Sequence, residues 1–180
     1  MRMDGEHFFL KLLDPSDSEA LLQLEVDNRE FFQMYSPLRN DEFYTLEGQR
    51  ERLEVINKMR EMGHQYTFGI FLKGSEELIG DVSLFKIERG PAQTGMLGYC
   101  LDHHHNGKGY MTKVVKRMIT FAFNVKKLHR IEAGVMPQNA GSIKVLEKAG
   151  FHREGIAVKS IKINGRWEDH QMLAIINDAE

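Results

Sequence analysis

The succession of elements between residues 94 and 136 narrows the folds open to this chain more than any other feature. Thr94–Leu101 reads as a strand, and the turn after it carries Gly107 and Gly109, one residue apart. Met111–Val125 then places Met111, Val114, Val115, Met118, Ile119, Ala122 and Phe123 at steps of three and four, the period of an amphipathic helix. His129–Met136 returns to strand alternation. A strand, a crossover helix and a second strand predict parallel pairing with a right-handed connection. Such a unit sets a helix start beside two strand ends, which is where ligands are held.

The flanking segments fix the class. Phe8–Leu13 reads as a first strand, and Asp14-Pro15-Ser16-Asp17 as a turn whose Ser16 or Asp17 can cap a helix. Ala20, Leu21, Leu24 and Phe31/Phe32 recur at helical spacing. A second helix is expected from about Asp41 to Met62, with Leu46, Leu53, Ile56 and Met59 as its core stripe, Gly63 as its stop and Glu47–Glu61 as a solvated charged face. Gln65–Lys73 and Leu78–Ile87 form a hairpin pair, and Asn139–Ala149 a helix. The final strands, Ile156–Ile163 and Trp167–Ile176, flank Asn164-Gly165, a two-residue hairpin signal. Strands mixed with separated helices give an α/β (mixed α+β) chain.

Composition removes several functions. Net charge is −2, so no global field favours nucleic acid or an anionic membrane. One cysteine, Cys100, excludes a disulfide framework and reads as a small buried group within a strand. No run of about 18 apolar residues is present and the N-terminus lacks an apolar signal core, so a cytoplasmic chain is expected. The 180 residues suit one domain.

The chemistry concentrates in Leu101-Asp102-His103-His104-His105-Asn106-Gly107-Lys108-Gly109-Tyr110-Met111. Glycine permits turns that other residues resist and lets a ligand approach the backbone closely. The first amides of a helix have no internal partners and lie at the positive end of its dipole. Together they make a phosphate cradle, although the same glycines would also serve as a plain cap. Neither a Walker loop nor a GxGxxG fingerprint is present. Three adjacent histidines in an extended segment alternate sides and do not converge on one ion, so no metal is expected.

The same stretch resembles the coenzyme-A loop of the GCN5-related N-acetyltransferase superfamily, Gln/Arg-x-x-Gly-x-Gly/Ala, and within it the RimJ/RimL-type branch. The likeness extends through Phe9–Asp17, Leu78-Ile79-Gly80, Leu97–Leu101, Leu128–Ala133, Asn139-Ala140-Gly141-Ser142 and Lys148–Gly155. It implies a splayed mixed sheet of about seven strands flanked by about four helices. It also implies an acetyl-CoA cosubstrate, with the backbone from Asn106 to Met111 (Asn106, Gly107, Lys108, Gly109, Tyr110, Met111) on the pyrophosphate and Leu101 to His103 pairing with the pantetheine. Asn139 would touch the coenzyme or order the loop, and Ser142 would protonate the departing thiolate.

Several positions depart from that pattern. His104 stands where the loop motif has Gln or Arg, Met96 where many members have a glutamate, Leu146 where many have an acid tyrosine, and Ile161 where RimL-like enzymes carry a carboxylate. The general base is therefore unassigned, with Glu132, Glu168, Asp169, His170 or an ordered water as candidates. Tyr99 and Trp167 could line a peptide cleft or lie in the core. The expected reaction is acetyl transfer to a primary amine, foremost a protein N-terminal α-amine of ribosomal-protein type. A small amine such as a polyamine, aminoglycoside or amino acid, or a coenzyme-binding module with little catalysis, are the alternatives. A homodimer is an open partner.

Overall fold

A computed structural model of the chain describes residues 1–179. Eight strands make one sheet: β1 (Arg2–Asp4), β2 (Phe8–Leu12), β3 (Tyr66–Leu72), β4 (Leu78–Glu88), β5 (Thr94–Leu101), β6 (Arg130–Val135), β7 (His152–Ile163) and β8 (Arg166–Ile176). Their order is β1-β2-β3-β4-β5-β6-β8-β7. Every neighbouring pair is antiparallel except β5 and β6, which run parallel as the crossover pattern requires. The five α-helices are α1 (Ser18–Asp27), α2 (Arg29–Gln33), α3 (Leu46–Glu61), α4 (Tyr110–Thr120) and α5 (Ala140–Ala149). The expectation of about seven strands and four helices missed β1, too short to show a period, and ran α1 and α2 together as one helical segment.

The sheet is covered on both faces, and strand alternation decides which side chain serves which face. In β2, Phe8 and Leu10 join the larger core with α4 and α5, whereas Phe9 faces the smaller core with α1 and α3. Val114, Val115 and Met118 of α4 are fully buried, each stabilising by roughly 1.5–3 kcal/mol relative to exposure. The predicted helix 111–125 is α only to Thr120; Phe121–Val125 forms a π turn that still buries Phe121, Ala122 and Phe123.

Local caps differ from the sequence expectations in two places. Asp14, rather than Ser16 or Asp17, caps the turn before α1: its carboxylate accepts from the Ser16 amide at 2.9 Å while Asp17 accepts from the Asp14 amide at 3.1 Å. The segment from Asp41 begins as a 3₁₀ turn, and Thr45 caps α3 by accepting from the Gly48 amide at 3.1 Å. Nor is α3 simply a solvated charged helix. Arg52 reaches inward to Glu25 of α1 at 2.8 Å and Asp81 of β4 at 3.6 Å. Burial pushes the Glu25 carboxyl up, with Arg52 opposing.

Strands β5 and β6 pair only over Thr94–Met96 and Arg130–Glu132. Beyond that the sheet splits, while β5 stays bonded to β4 as far as Leu101. The split opens a gap between Leu97–Leu101 and Ala133–Met136. No helix among the described residues is long and apolar enough to cross a membrane.

Candidate active site

A cavity of about 570 Å³ runs from this gap to the surface. Two helix starts face it: Gly107 and Gly109 before α4, and Asn139, Gly141 and Ser142 at α5. Gly107 has φ +77° and Gly109, the residue capping α4, has φ +78°, the left-handed region that favours glycine. A Cβ at Gly109 would meet nothing within 4 Å, so it is the backbone shape, not space within the protein, that asks for glycine there.

Of the residues anticipated from sequence, Leu101, Asn106, Gly107, Gly109, Tyr110 and Met111 line the cavity, as do Asn139 and Ser142. Lys108, His103 and His104 do not. The histidines instead form a 3₁₀ turn, His103–His105, and not the extended segment expected. That turn brings one ligand-capable atom each of Asp102, His103 and His104 within 4.8 Å of one another. All three are engaged in the protein: His104 Nδ1 lies 3.0 Å from Asp102 Oδ1, and His103 Nδ1 lies 2.7 Å from Asn28 Oδ1.

Asn28 is a positioning residue that the sequence reading did not single out. It is 1% exposed, and its amide donates to Leu24 O at 3.0 Å and to Asp102 Oδ2 at 3.2 Å. Its Oδ1 accepts from the His103 amide at 3.1 Å. One side chain thus ties the end of α1 to the start of the glycine turn. Phe31, Phe32 and Tyr35, on and just after α2, form the opposite wall of the cavity.

Asn139 caps α5, its Oδ1 accepting from the Ser142 amide at 3.3 Å. The cap holds Ser142 at the first turn, where its Oγ lies 2.8 Å from Tyr99 Oη. Burial pushes the Tyr99 phenol up to about 12, so it remains protonated at neutral pH. The phenol proton is shared between the Ser142 carbonyl, 3.2 Å away, and Oγ, and when it goes to Oγ the serine proton is released toward a cavity ligand. Tyr99 therefore belongs to the site and not merely to the core, whereas Trp167 is 60% exposed. Burial, with Asp81 beside it, pushes the Cys100 thiol up, leaving it unsuited to attack.

The four carboxylate and imidazole candidates for the base separate clearly. Glu132 is bound to Arg130 at 2.7 Å, and Asp169 accepts from the Lys159 amide at 2.8 Å. His170 lines a second cavity of about 190 Å³ that shares Tyr35, Tyr99, Asn139 and Ser142 with the first. Glu168 offers its backbone carbonyl to His170 Nδ1 at 3.1 Å.

Residues 7–152 match the family model described as an acetyltransferase (GNAT) domain. The chain is 53% identical to the probable N-acetyltransferase YjcK of Bacillus subtilis over 97% of each chain. The crystal structure of a ribosomal-protein-S5-alanine acetyltransferase from Vibrio fischeri superposes with a TM-score of 0.94 at 35% identity, covering 99% of this chain and 97% of that one. A RimL ribosomal L7/L12 α-N-protein acetyltransferase in complex with coenzyme A gives a TM-score of 0.88 at 25% identity, over 98% and 97%. Two helix starts and a split sheet around one cavity are thus the architecture of a known enzyme group, and the chain belongs to the GNAT acetyltransferase family as an acetyl-CoA-dependent N-acetyltransferase.

Proposed function

We propose that residues 1–180 form one domain that moves the acetyl group of acetyl-CoA to the α-amine at a protein N-terminus. The observation carrying this reading is the continuous cavity from the glycine turn, past the start of α5, to the Tyr99–Ser142 pair. Amides from Asn106 to Met111 hold the pyrophosphate at the positive end of α4. Lys144 and Lys148, which line the same cavity along α5, add cationic charge that the sequence reading did not single out. The free edge of β5 from Leu97 to Leu101, left unpaired by β6, offers backbone groups to an extended chain such as the pantetheine. His103 and His104, outside the cavity wall, order the turn through Asp102 and Asn28.

Acetyl-CoA supplies an activated thioester, and the protein supplies position and proton transfer. Ser142 Oγ donates to the thiolate as it leaves, backed by the Tyr99 phenol. The protein-terminal acceptor is favoured by the 35% identical Vibrio fischeri enzyme named for ribosomal protein S5 alanine.

Incubation with acetyl-CoA and short peptides beginning in alanine, serine or methionine, read by mass spectrometry, should place one acetyl group on the α-amine. Acetylation of polyamines or amino acids alone would overturn the acceptor, and coenzyme binding without turnover on any amine would overturn the catalysis.

The glycine turn has its own test. Valine at Gly109 forces a β-branched residue into the left-handed region, at a cost of about 1–2 kcal/mol. Relaxation of that strain turns the helix-start amides away. Gly109→Val should raise the Kd for acetyl-CoA at least tenfold, about 1.4 kcal/mol, by calorimetry. Unchanged affinity removes the turn from the coenzyme site.

A further inference from the structure

We infer that His170 is the base that takes the proton from the attacking amine. The inference rests on the acetyl-transfer reading above and names the group which that reading leaves open. Three observations carry it: the cavity, the tautomer and the engagement of Glu132 and Asp169 elsewhere.

His170 is 4% exposed, yet it lines the second cavity together with Tyr99, Asn139 and Ser142. Those three residues also line the coenzyme cavity, so the smaller cavity, which His170 and the thiolate donor Ser142 both line, adjoins the coenzyme cavity along a shared wall. Gly134 of β6 packs beside the ring, at ordinary contact distance. A Cβ there would lie 3.7 Å from His170 Cβ and 3.8 Å from its Cδ2.

The ring is oriented by its own strand. Its Nδ1 lies 3.1 Å from the carbonyl oxygen of Glu168 and 3.3 Å from Ser160 Oγ. A carbonyl can only accept, so the contact is a hydrogen bond only when Nδ1 carries the proton. The lone pair is then on Nε2, which has no hydrogen-bond partner among the described residues. This is the tautomer a base needs, and it is set without a carboxylate behind it.

Two of the three carboxylate candidates are excluded by what they already do. Glu132 is engaged by Arg130, and Asp169 by the Lys159 amide. Where a strand carboxylate was sought, Ile161 stands instead, paired across the hairpin with Glu168. The titratable groups around the ring are Tyr35 and Tyr99 in the cavity wall, with the Glu168 and Asp169 side chains adjacent on β8.

In the step itself the amine nitrogen bonds to the acetyl carbon and the carbon–sulfur bond breaks. The amine proton passes to His170 Nε2, and the sulfur receives its proton from Ser142 Oγ. The imidazolium then gives its proton up to solvent and Ser142 Oγ takes one back from solvent, so both groups are restored and the amine proton is in effect carried to the sulfur.

Two variants test this. Asn at 170 keeps a donor for the Glu168 carbonyl, and Gln keeps a polar atom near the Nε2 position, but neither takes a proton. With the acetylated amine identified above, both His170→Asn and His170→Gln should lower kcat about 100-fold at pH 7, the range of general base catalysis. The Kd for acetyl-CoA should stay within about twofold, which also certifies the fold of each variant. An α-amine loses its own proton near pH 8, so at about pH 9.5 the deficit should shrink to a few-fold. A full-rate variant, or a deficit equal at both pH values, overturns the role of His170. A wild-type protein that acetylates no amine overturns the underlying reading instead, so the two failures are distinct.

Discussion

Replacing Ser142 by alanine is expected to lower kcat by about 10- to 1,000-fold, the span of acid–base and oxyanion-type contributions. The KM for acetyl-CoA should change little, because the serine proton meets the sulfur chiefly as negative charge develops there. A thiol-detecting steady-state assay reads both constants. The Tyr99 phenol, 2.8 Å from Ser142 Oγ, makes the prediction sharper. Tyr99→Phe removes the hydrogen bond that frees the serine proton, and Phe keeps the packing. If the two hydroxyls act as a unit, Ser142→Ala with Tyr99→Phe should cost hardly more than Ser142→Ala alone. Additive losses would separate them, and a full-rate alanine variant would leave Ser142 as a residue of the first helical turn only.

The second large effect lies away from the chemistry. Arg52 is flanked by two carboxylates that are almost fully buried, Glu25 at 7% and Asp81 at 7% exposure. Removing one partner of a buried ion pair costs about 3–5 kcal/mol, because the remaining charge has lost its compensation. Arg52→Ala should therefore lower stability by about 3 kcal/mol, a fall in Tm of roughly 6–12 °C for a chain of this size. The pH dependence has a definite sign. Burial and the neighbouring Asp81 charge already push the Glu25 carboxyl up, and without the guanidinium that opposes them its folded value stands further above the unfolded one. Stability relative to wild type is then kept below the unfolded value and lost as pH rises through the folded one. The deficit should be smaller near pH 5 than near pH 8. Thermal denaturation at the two pH values checks it, and a pH-independent loss would show that packing of the Arg52 stem dominates.

The sequence disclosed local features and concealed distant ones. Gly107 and Gly109 before a helix of apolar period, the parallel strands on either side, and Asn139 three residues before Ser142 are all short-range patterns, and each stands where spacing put it. The Tyr99–Ser142 contact joins residues 43 apart in the chain and leaves no periodic trace. The link from Asn28 to His103 spans 75 residues. Arg52 misled the reading for a physical reason: most of the other charges on α3 are exposed, and only the partners supplied by α1 and β4 draw this one inward. His103–His105 misled it too, since alternation of side chains presumes extended backbone and the capping of the turn by Asp102 curls it. β1, three residues long, exists because β2 offers an edge to pair with and not because its own sequence asks for a strand.

The short pairing of β5 with β6 also has a mechanical meaning. Every other joint in the interior of the sheet is laced over a longer stretch, so β1–β5 and β6–β8 behave as two leaves bound along one narrow hinge. Thermal breathing concentrates at such a seam, because separating the leaves breaks few backbone hydrogen bonds while each leaf keeps its own lacing. A molecule wedged between them and bonded to both would act as a clasp that stiffens the protein for as long as it stays. Ejection of the spent carrier is then bound up with the flexing of the leaves, and the tempo of the enzyme is partly written in the width of a hinge only three residues deep on each side.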